Sequence, residues 1–422
     1  MDDNNFTVKG FWWLPDNSND SVSGILEFKQ DEGSFLELIG SFRTIDNFRL
    51  IAPEIILGET TDGEPITLYK NFTNRYKLSL PFSDITFKTH YIFRGKHFNR
   101  SNDIRFSEIF VYFKYLKEWV AYTGFEKIEH DYQTKEILIR YKLKEPQSFR
   151  INDEMEISIE FVAIPSALGL IQKEYAIKEE NFIRIKFAQE RNLDDCLDKI
   201  WKIQNFITLA VSKNVHPKAI ELKKDANRYP IKLFYFDKLY LGQQNKEISP
   251  FDMTLPYPYI KEKLDVYLRN WFIKYREFQT SFDIYFSTLY NSNLYLETQF
   301  LNLLTAFGGY YYNKTKIKKL EDVLYKTVEE FDFIRGFIDK EEIKKIIITR
   351  NYYAHADESK RTKILRGSEL LYFKEVLNIC FIIILLQELG LTKDEILEKL
   401  EKKIKFLESL KNQIKKNGYK PV

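Results

Sequence analysis

Residues 350–355, near the C-terminal end of the chain, combine three side chains that together can cleave RNA without a metal ion. Arg350 carries a permanent charge that neutralises phosphate, His355 can transfer a proton near neutral pH, and Asn351 can orient either group. The loose pattern, an arginine followed by a histidine after a short gap, is expected by chance about 0.6 times in this composition. Requiring asparagine directly after the arginine lowers that expectation to about 0.04. The strict pattern is therefore a candidate catalytic site.

The candidate site lies at the C-terminal end of a helix predicted to begin at Lys340. At about 100° per residue, Asn351 and His355 share one face, whereas Arg350 and His355 point about 140° apart. One continuous helix is therefore not expected to aim both at a single phosphate. Either the helix frays near Ala354, or two copies of the motif face each other across a two-fold axis. The alternative is that Arg350 and His355 have no catalytic role and serve as cations that bond to the terminal carbonyl groups of the helix.

Three further residues are candidates for a supporting or RNA-contacting role. Tyr352 and Tyr353 can stack on bases of single-stranded RNA or can pack inside a helical bundle. Glu297, in an earlier predicted helix, is either a partner of Arg350 or a surface charge. Tight spacing of metal ligands is missing among the other histidines, so we predict no metal site and no cofactor. Those histidines are His90, His97, His130 and His216.

The composition predicts a folded, soluble protein of two or three domains. The chain has 422 residues, of which 44% are hydrophobic and 16% aromatic. Its formal net charge of +3 excludes a globally polycationic binder, so any RNA contact must come from a local patch. The two cysteines, Cys196 and Cys380, suggest no disulfide framework. The polar N-terminus is no secretory signal, and the aliphatic run 379–386 is too short to span a bilayer. A cytoplasmic location is expected.

The hydrophobic pattern changes character near residue 258. Upstream, segments such as 22–28 with 34–38 alternate with period two, and Asp62-Gly63 marks a tight turn. Downstream, proline is absent until Pro421, which suits long helices. We therefore predict an α+β chain, with a mostly-β domain over 1–258 and an all-α bundle over 259–422. The first domain contains one helix near 194–209. The bundle has predicted helices at 260–290, 294–311, 320–331, 340–353, 367–389 and 393–415.

A helical bundle carrying Arg350-Asn351 and His355 at a helix end resembles the HEPN superfamily, whose active members are metal-independent ribonucleases that work as dimers. The resemblance extends to the ApeA group of anti-phage HEPN proteins. The chain departs from that group at Ala306-Phe307-Gly308-Gly309, where a second glutamate is expected. The similar segments are 10–15, 24–26, 58–63, 116–120, 124–125, 297–301 and 304–306.

The resemblance implies an endoribonuclease that cleaves cellular RNA, with tRNA as one candidate, in abortive infection. The 2′-OH would attack the adjacent phosphate and leave a 2′,3′-cyclic phosphate. His355 would be the general base or acid, Arg350 would stabilise the phosphorane, and Asn351 would orient His355 or a phosphate oxygen. The resemblance also implies a homodimer through the HEPN domain and a phage-encoded trigger at the N-terminal domain. The alternative is a non-catalytic HEPN dimerisation or nucleotide-binding scaffold.

Overall fold

The computed structural model describes residues 5–42, 52–78, 83–166, 175–224, 229–236, 248–291 and 293–417. The chain divides into two compact units. The first comprises Met1–Ile207 and Val215–Phe251, and the second comprises Thr208–Asn214 and Asp252–Val422. The α+β class predicted from the change of hydrophobic period is confirmed, because strands fill the first unit and helices fill the second.

The first unit is built on one sheet of 12 strands, and every pairing described in it is antiparallel. A separate hairpin of two strands, β8 and β9, stands apart from that sheet. Two helices, α1 (Leu116–Val120) and α2 (Leu193–Val211), interrupt the strands, and the last turn of α2 belongs to the second unit. The strands are β1 (Phe6–Leu14), β2 (Asn17–Lys29), β3 (Gly33–Ile39), β4 (Ile55–Thr60), β5 (Pro65–Leu78), β6 (Ser83–Arg94), β7 (Arg105–Phe113), β8 (Phe125–Asp131), β9 (Glu136–Tyr141), β10 (Gln147–Asn152), β11 (Met155–Pro165), β12 (Ile177–Asn192), β13 (Pro217–Lys223) and β14 (Ile231–Tyr235).

Six of these strands close on themselves. Their order is β6-β3-β2-β1-β4-β5, and β5 also pairs with β6. The remaining strands extend from β6 in the order β14-β13-β7-β12-β11-β10. The hairpin predicted from segments 22–28 and 34–38 is confirmed as the β2–β3 pair. The turn predicted at Asp62-Gly63 joins β4 to β5, with Gly63 at a φ of +79°.

Trp12 lies fully buried in the core of the closed strands, and its indole ring is wedged between glycines. A Cβ atom on Gly58, which pairs with Trp12 across β4 and β1, would overlap that ring. A Cβ atom on Gly24 would lie 3.0 Å from it, on the neighbouring strand β2. Glycine is therefore required at these positions because the indole occupies the space of a side chain.

The second unit consists of helices. They are α3 (Tyr257–Ile260), α4 (Leu264–Glu277), α5 (Gln279–Tyr290), α6 (Leu296–Thr315), α7 (Leu320–Glu330), α8 (Lys340–His355), α9 (Gly367–Leu389) and α10 (Lys393–Asn417). The prediction of one helix over 260–290 is wrong, because the helix breaks at Phe278. Phe278 is only 1% exposed and turns into the core against Phe282 and Tyr310. That aromatic contact stabilises the break, which no glycine or proline marks.

Helix α9 forms the centre of the bundle and is apolar on nearly all sides, as a buried helix must be. Its Phe381 stacks on Tyr285 of α5, with ring centroids 4.5 Å apart, and meets Phe307 of α6 at 5.3 Å. Helix α10 also packs on α9, and Leu400 and Leu407 of its apolar stripe are fully buried. No helix in the described ranges is long and apolar enough to cross a membrane.

Candidate active site

The candidate site lies at the end of α8, and both ends of this helix are fixed by local contacts. At the start, the Asp339 carboxylate accepts the N–H of Glu342 over 2.8 Å, and Glu342 accepts the N–H of Asp339 over 2.7 Å. This reciprocal capping box satisfies two N–H groups that the helix leaves unpaired. At the other end, Ala356 adopts a left-handed conformation with a φ of 50°, which stops the helix directly after His355.

Thr349 holds the helix to the chain that returns after it. Its side chain is fully buried, and its Oγ1 donates to the carbonyl of Lys345 over 2.7 Å. The same oxygen accepts the N–H of Leu365 over 2.9 Å. The residue next to the motif arginine is thus bonded to a position sixteen residues later, which keeps the last turn of α8 in place.

The three motif side chains meet within one chain. Arg350 Nη1 donates to Asn351 Oδ1 over 3.1 Å and lies 3.4 Å from His355 Nε2. Arg350 and Asn351 are half-buried, whereas His355 is exposed. A single guanidinium nitrogen therefore bridges the amide and the imidazole at the protein surface.

Helical angles alone direct Arg350 and His355 about 140° apart, but the structure brings the two side chains together. The helix runs without fraying through His355, and the two side chains still approach to 3.4 Å. On ideal helical geometry the Cα atoms of the two residues are only about 9 Å apart. The angle of about 140° gives the directions in which the two side chains leave the helix, not the positions of their ends. The long arginine side chain bends along the helix and covers the remaining distance. This contact therefore does not require a second copy of the chain.

The contact can be a hydrogen bond in only one form of the histidine. A guanidinium has only donors, so a hydrogen bond to His355 needs the lone pair on Nε2. That requirement describes a neutral imidazole with its proton on Nδ1. In this form His355 has the lone pair that a general base needs, and Arg350 would occupy it.

Two of the supporting candidates, Tyr352 and Tyr353, lie in α8, and the third, Glu297, lies in the first turn of α6. The rings of Tyr352 and Tyr353 are 5.1 Å apart, edge to face, and Tyr352 donates to Glu358 Oε1 over 3.3 Å. Burial raises the pKa of Tyr353, the charge of Glu297 raises it further, and Arg366 opposes this shift. In the described part of the chain, Glu297 makes no ion pair with Arg350 and acts on Tyr353 instead.

Sequence reasoning missed Thr349, Leu365 and Arg366, which position or surround the motif. Nothing in the periodicity of α8 indicates that Thr349 bonds to a residue in the following loop. The loop itself is marked only by its polar, basic composition. The segment 306–309, where a second glutamate was expected, lies in α6 with Phe307 buried against α9.

Other reactive groups do not form a second centre in the ranges described. No cluster of three or more histidine, cysteine or acidic side chains that could hold a metal ion occurs there. Burial raises the pKa of both thiols, Cys196 and Cys380, to about 12, so neither supplies a thiolate at neutral pH. His97 bonds to the Gly58 carbonyl over 2.8 Å, and His130 stacks on Tyr132.

Comparison with known proteins identifies both parts of the chain. The family model of ApeA N-terminal domain 1 matches residues 7–271, which is more than half of the chain. The model of the Apea-like HEPN domain matches residues 278–395 and includes Arg350, Asn351 and His355. No curated protein and no solved structure matches the chain. The resemblance inferred from scattered motifs is confirmed, and the chain belongs to the ApeA family, with an ApeA N-terminal domain followed by an ApeA-like HEPN domain.

Proposed function

We propose that this protein is a metal-independent endoribonuclease of anti-phage defence, and that Arg350, Asn351 and His355 form its active site. The observation that carries the proposal is the bridge from Arg350 Nη1 to Asn351 and His355 at an exposed helix end. HEPN domains are commonly ribonucleases, and this trio lies inside the matched HEPN region. A purely structural bundle has no need for a cation, an amide and an imidazole at one exposed point.

The reaction uses a nucleophile that RNA itself provides. His355 takes the proton of the ribose 2′-OH, and the oxygen attacks the adjacent phosphorus while the bond to the 5′-oxygen breaks. The 5′-oxygen receives a proton from the imidazolium or from water, so the products are a 2′,3′-cyclic phosphate and a 5′-OH. General acid–base catalysis of this kind contributes typically about 10²–10⁴-fold.

Arg350 changes partners during this reaction. Without substrate, its Nη1 lies against His355 Nε2 and occupies the lone pair of the base. An arriving phosphate offers charged oxygens, which are stronger acceptors for a guanidinium than a neutral imidazole. Transfer of the guanidinium to phosphate frees Nε2 and places a cation where negative charge develops. Asn351 keeps the guanidinium oriented through its Oδ1. Tyr352 and Tyr353 offer aromatic faces to neighbouring bases.

Family membership supports a proposal for the wider role. We propose that the target is cellular RNA, with tRNA among the candidates, in the cytoplasm of an infected cell. The first unit would restrain the nuclease and respond to a phage-encoded trigger. HEPN domains often dimerise, so we also propose a homodimer through the second unit. The bridge between Arg350 and His355 gives no support to that dimer, because it forms within one chain.

Incubation of the purified full chain with total RNA in excess EDTA tests the proposal. We expect chelator-resistant cleavage that Arg350→Ala and His355→Ala each reduce at least 100-fold. Matched controls are Arg269→Ala, an exposed arginine paired with Asp265 on α4, and His130→Ala, on the exposed β8–β9 hairpin. Equal cleavage by wild type and both motif variants would contradict the proposal. Binding of RNA or nucleotide without any cleavage would favour the scaffold.

A further inference from the structure

Residues 357–366, which we call the motif loop, follow α8 and fold back onto it. Near its end, the N–H of Leu365 donates to Thr349 Oγ1 over 2.9 Å. Near its start, Glu358 Oε1 accepts the hydroxyl of Tyr352 over 3.3 Å. Both contacts reach α8 within two residues of the motif arginine. The motif loop is therefore held beside the catalytic trio.

The motif loop is far more basic than the chain as a whole. The complete sequence has a formal net charge of only +3. Within these ten residues, four cations stand against two carboxylates. The cations are Lys360, Arg361, Lys363 and Arg366, and the carboxylates are Asp357 and Glu358. This is the local positive patch that an RNA-binding chain of nearly balanced charge requires.

Two of the four cations form ion pairs with carboxylates of the motif loop itself. Lys360 pairs with Asp357 at 2.9 Å, and Arg361 Nη1 lies 3.8 Å from Glu358. Within the described residues, the exposed Lys363 side chain has no ion-pair partner. Two cations are thus engaged by neighbouring carboxylates, and at least one is available at once.

The ion pair between Arg361 and Glu358 can be exchanged at little cost. Both side chains are about two-thirds exposed, at 68% and 67%. Exposed pairs of this kind contribute little stability, because water screens them and the side chains lose freedom when they pair. A phosphate group, which arginine binds through two parallel hydrogen bonds, competes well with such a carboxylate.

We propose that the motif loop binds the RNA backbone next to the scissile phosphate, through Arg361, Lys363 and Arg366. Glu358 holds Arg361 until an RNA phosphate replaces the carboxylate. The inference rests on the proposed ribonuclease function, because RNA is the polyanion that reaches the adjacent trio. Lys363 and Arg366 then position the strand, while Arg350 acts on the phosphate that is cut.

Binding can be measured separately from cleavage. In the His355→Ala background, the affinity for a single-stranded oligoribonucleotide is measured between about 50 and 200 mM salt. We expect the triple variant Arg361→Ala, Lys363→Ala, Arg366→Ala to bind at least 10-fold more weakly at the lower salt. Affinity falls as salt rises, and the magnitude of the slope of log affinity against log salt should decrease by about 2 in the triple variant. The reason is that each of the three lost phosphate contacts on a single strand contributes roughly 0.7 to that slope. The matched control replaces three exposed lysines of α10, namely Lys393, Lys402 and Lys405, with alanine.

Two single substitutions provide a separate test of the proposal in case the triple variant does not fold. Lys363→Glu changes an exposed side chain that has no ion-pair partner in the described part of the chain, and it should weaken RNA binding several-fold with an unchanged thermal midpoint. Glu358→Gln should strengthen binding about two- to five-fold, because it releases Arg361. Glu401→Gln, which releases Lys405 on α10, should leave binding unchanged.

The outcomes separate this inference from the proposed function. Loop-dependent RNA binding by a protein that never cleaves RNA supports the motif loop and overturns the ribonuclease. Cleavage by the wild type, with the loop variants binding RNA as tightly as the α10 control, overturns the motif loop and leaves the ribonuclease intact. An unchanged salt slope in the triple variant also overturns the inference.

Discussion

At the scale of single residues, one nitrogen of Arg350 contacts both other members of the proposed catalytic trio. Its Nη1 lies between Asn351 Oδ1 and His355 Nε2. In the proposed mechanism, the cation that neutralises phosphate therefore also contacts the general base before substrate binds. The proposal thus describes a resting site whose base becomes free when a phosphate binds to the arginine. The planar guanidinium is important for this exchange because it presents several donors in fixed directions.

Substitution of Arg350 by lysine tests whether a positive charge alone is enough for RNA cleavage. Arg350→Lys keeps the positive charge but cannot contact amide, imidazole and phosphate in the same fixed geometry. We expect kcat/KM for RNA cleavage to fall by about 10–100-fold, with the thermal midpoint unchanged. Arg269→Lys on α4 is the control and should cleave as the wild type does. Full activity of Arg350→Lys would show that a point charge suffices.

At the scale of elements, close packing of Trp12 against glycines shapes the closed strands of the first unit. Gly58→Ala would push a methyl group into the indole ring. We expect a loss of about 1–3 kcal/mol in the free energy of unfolding, as for other overpacked cores. The matched control is Gly308→Ala in α6, where the nearest atom to a new Cβ lies 4.0 Å away. That change should be neutral or stabilising by up to about 1 kcal/mol, because alanine favours helix. Denaturant unfolding of both variants compares them.

Glu395, in the first turn of α10, is expected to make the stability of the fold depend on pH. Hydrogen bonding to Lys263 and to the N–H of Thr392 lowers the pKa of Glu395 to about 2. Because the folded pKa lies below the ordinary value of 4.5, this stabilisation is complete above that value and is lost as pH falls towards 2. Glu395→Gln should lower stability at neutral pH by roughly 0.5–1 kcal/mol, as for other helix caps. The difference from the wild type should shrink in acid. A constant difference from neutral pH to about pH 3 would contradict this role.

The sequence predicts these elements better than it predicts the contacts between their side chains. Period-two and helical patterns place the β2–β3 hairpin and α8 correctly, because burial of one face is a local property of the chain. The break at Phe278 is missed because a buried aromatic contact stabilises it. The contact of Arg350 with His355 is missed because helical angles do not describe the reach of a long side chain. The bond from Thr349 to Leu365 joins residues whose pairing depends on the course of the loop.

At the scale of the whole molecule, the ApeA family places an N-terminal domain before a HEPN domain, and the chain divides into two compact units. Because the three motif side chains meet within one chain, the proposal gives each copy of the protein its own catalytic groups. In the proposed homodimer, the partner would then add RNA-binding surface or control and not a missing catalytic residue.

Mixing of inactive subunits tests this arrangement. Arg350→Ala and His355→Ala chains, co-expressed and purified as a mixed dimer, should remain inactive, because neither chain has an intact trio. A site composed of Arg350 from one chain and His355 from the other would regain activity in the mixed dimer. RNA cleavage by the mixture, compared with each variant alone, decides between the two. Co-purification through two different affinity tags verifies that the mixed dimer forms.

The most direct test of the central claim is cleavage of an RNA that lacks one 2′-OH. An oligoribonucleotide with its mapped cut site is compared with one carrying 2′-deoxyribose on the 5′ side of the scissile phosphate, both in excess EDTA. The proposed mechanism predicts a 2′,3′-cyclic phosphate from the first and no cleavage at that position in the second. Equal cleavage of both, or a 5′-phosphate product, would contradict attack by the ribose hydroxyl and, with it, the catalytic roles of Arg350 and His355.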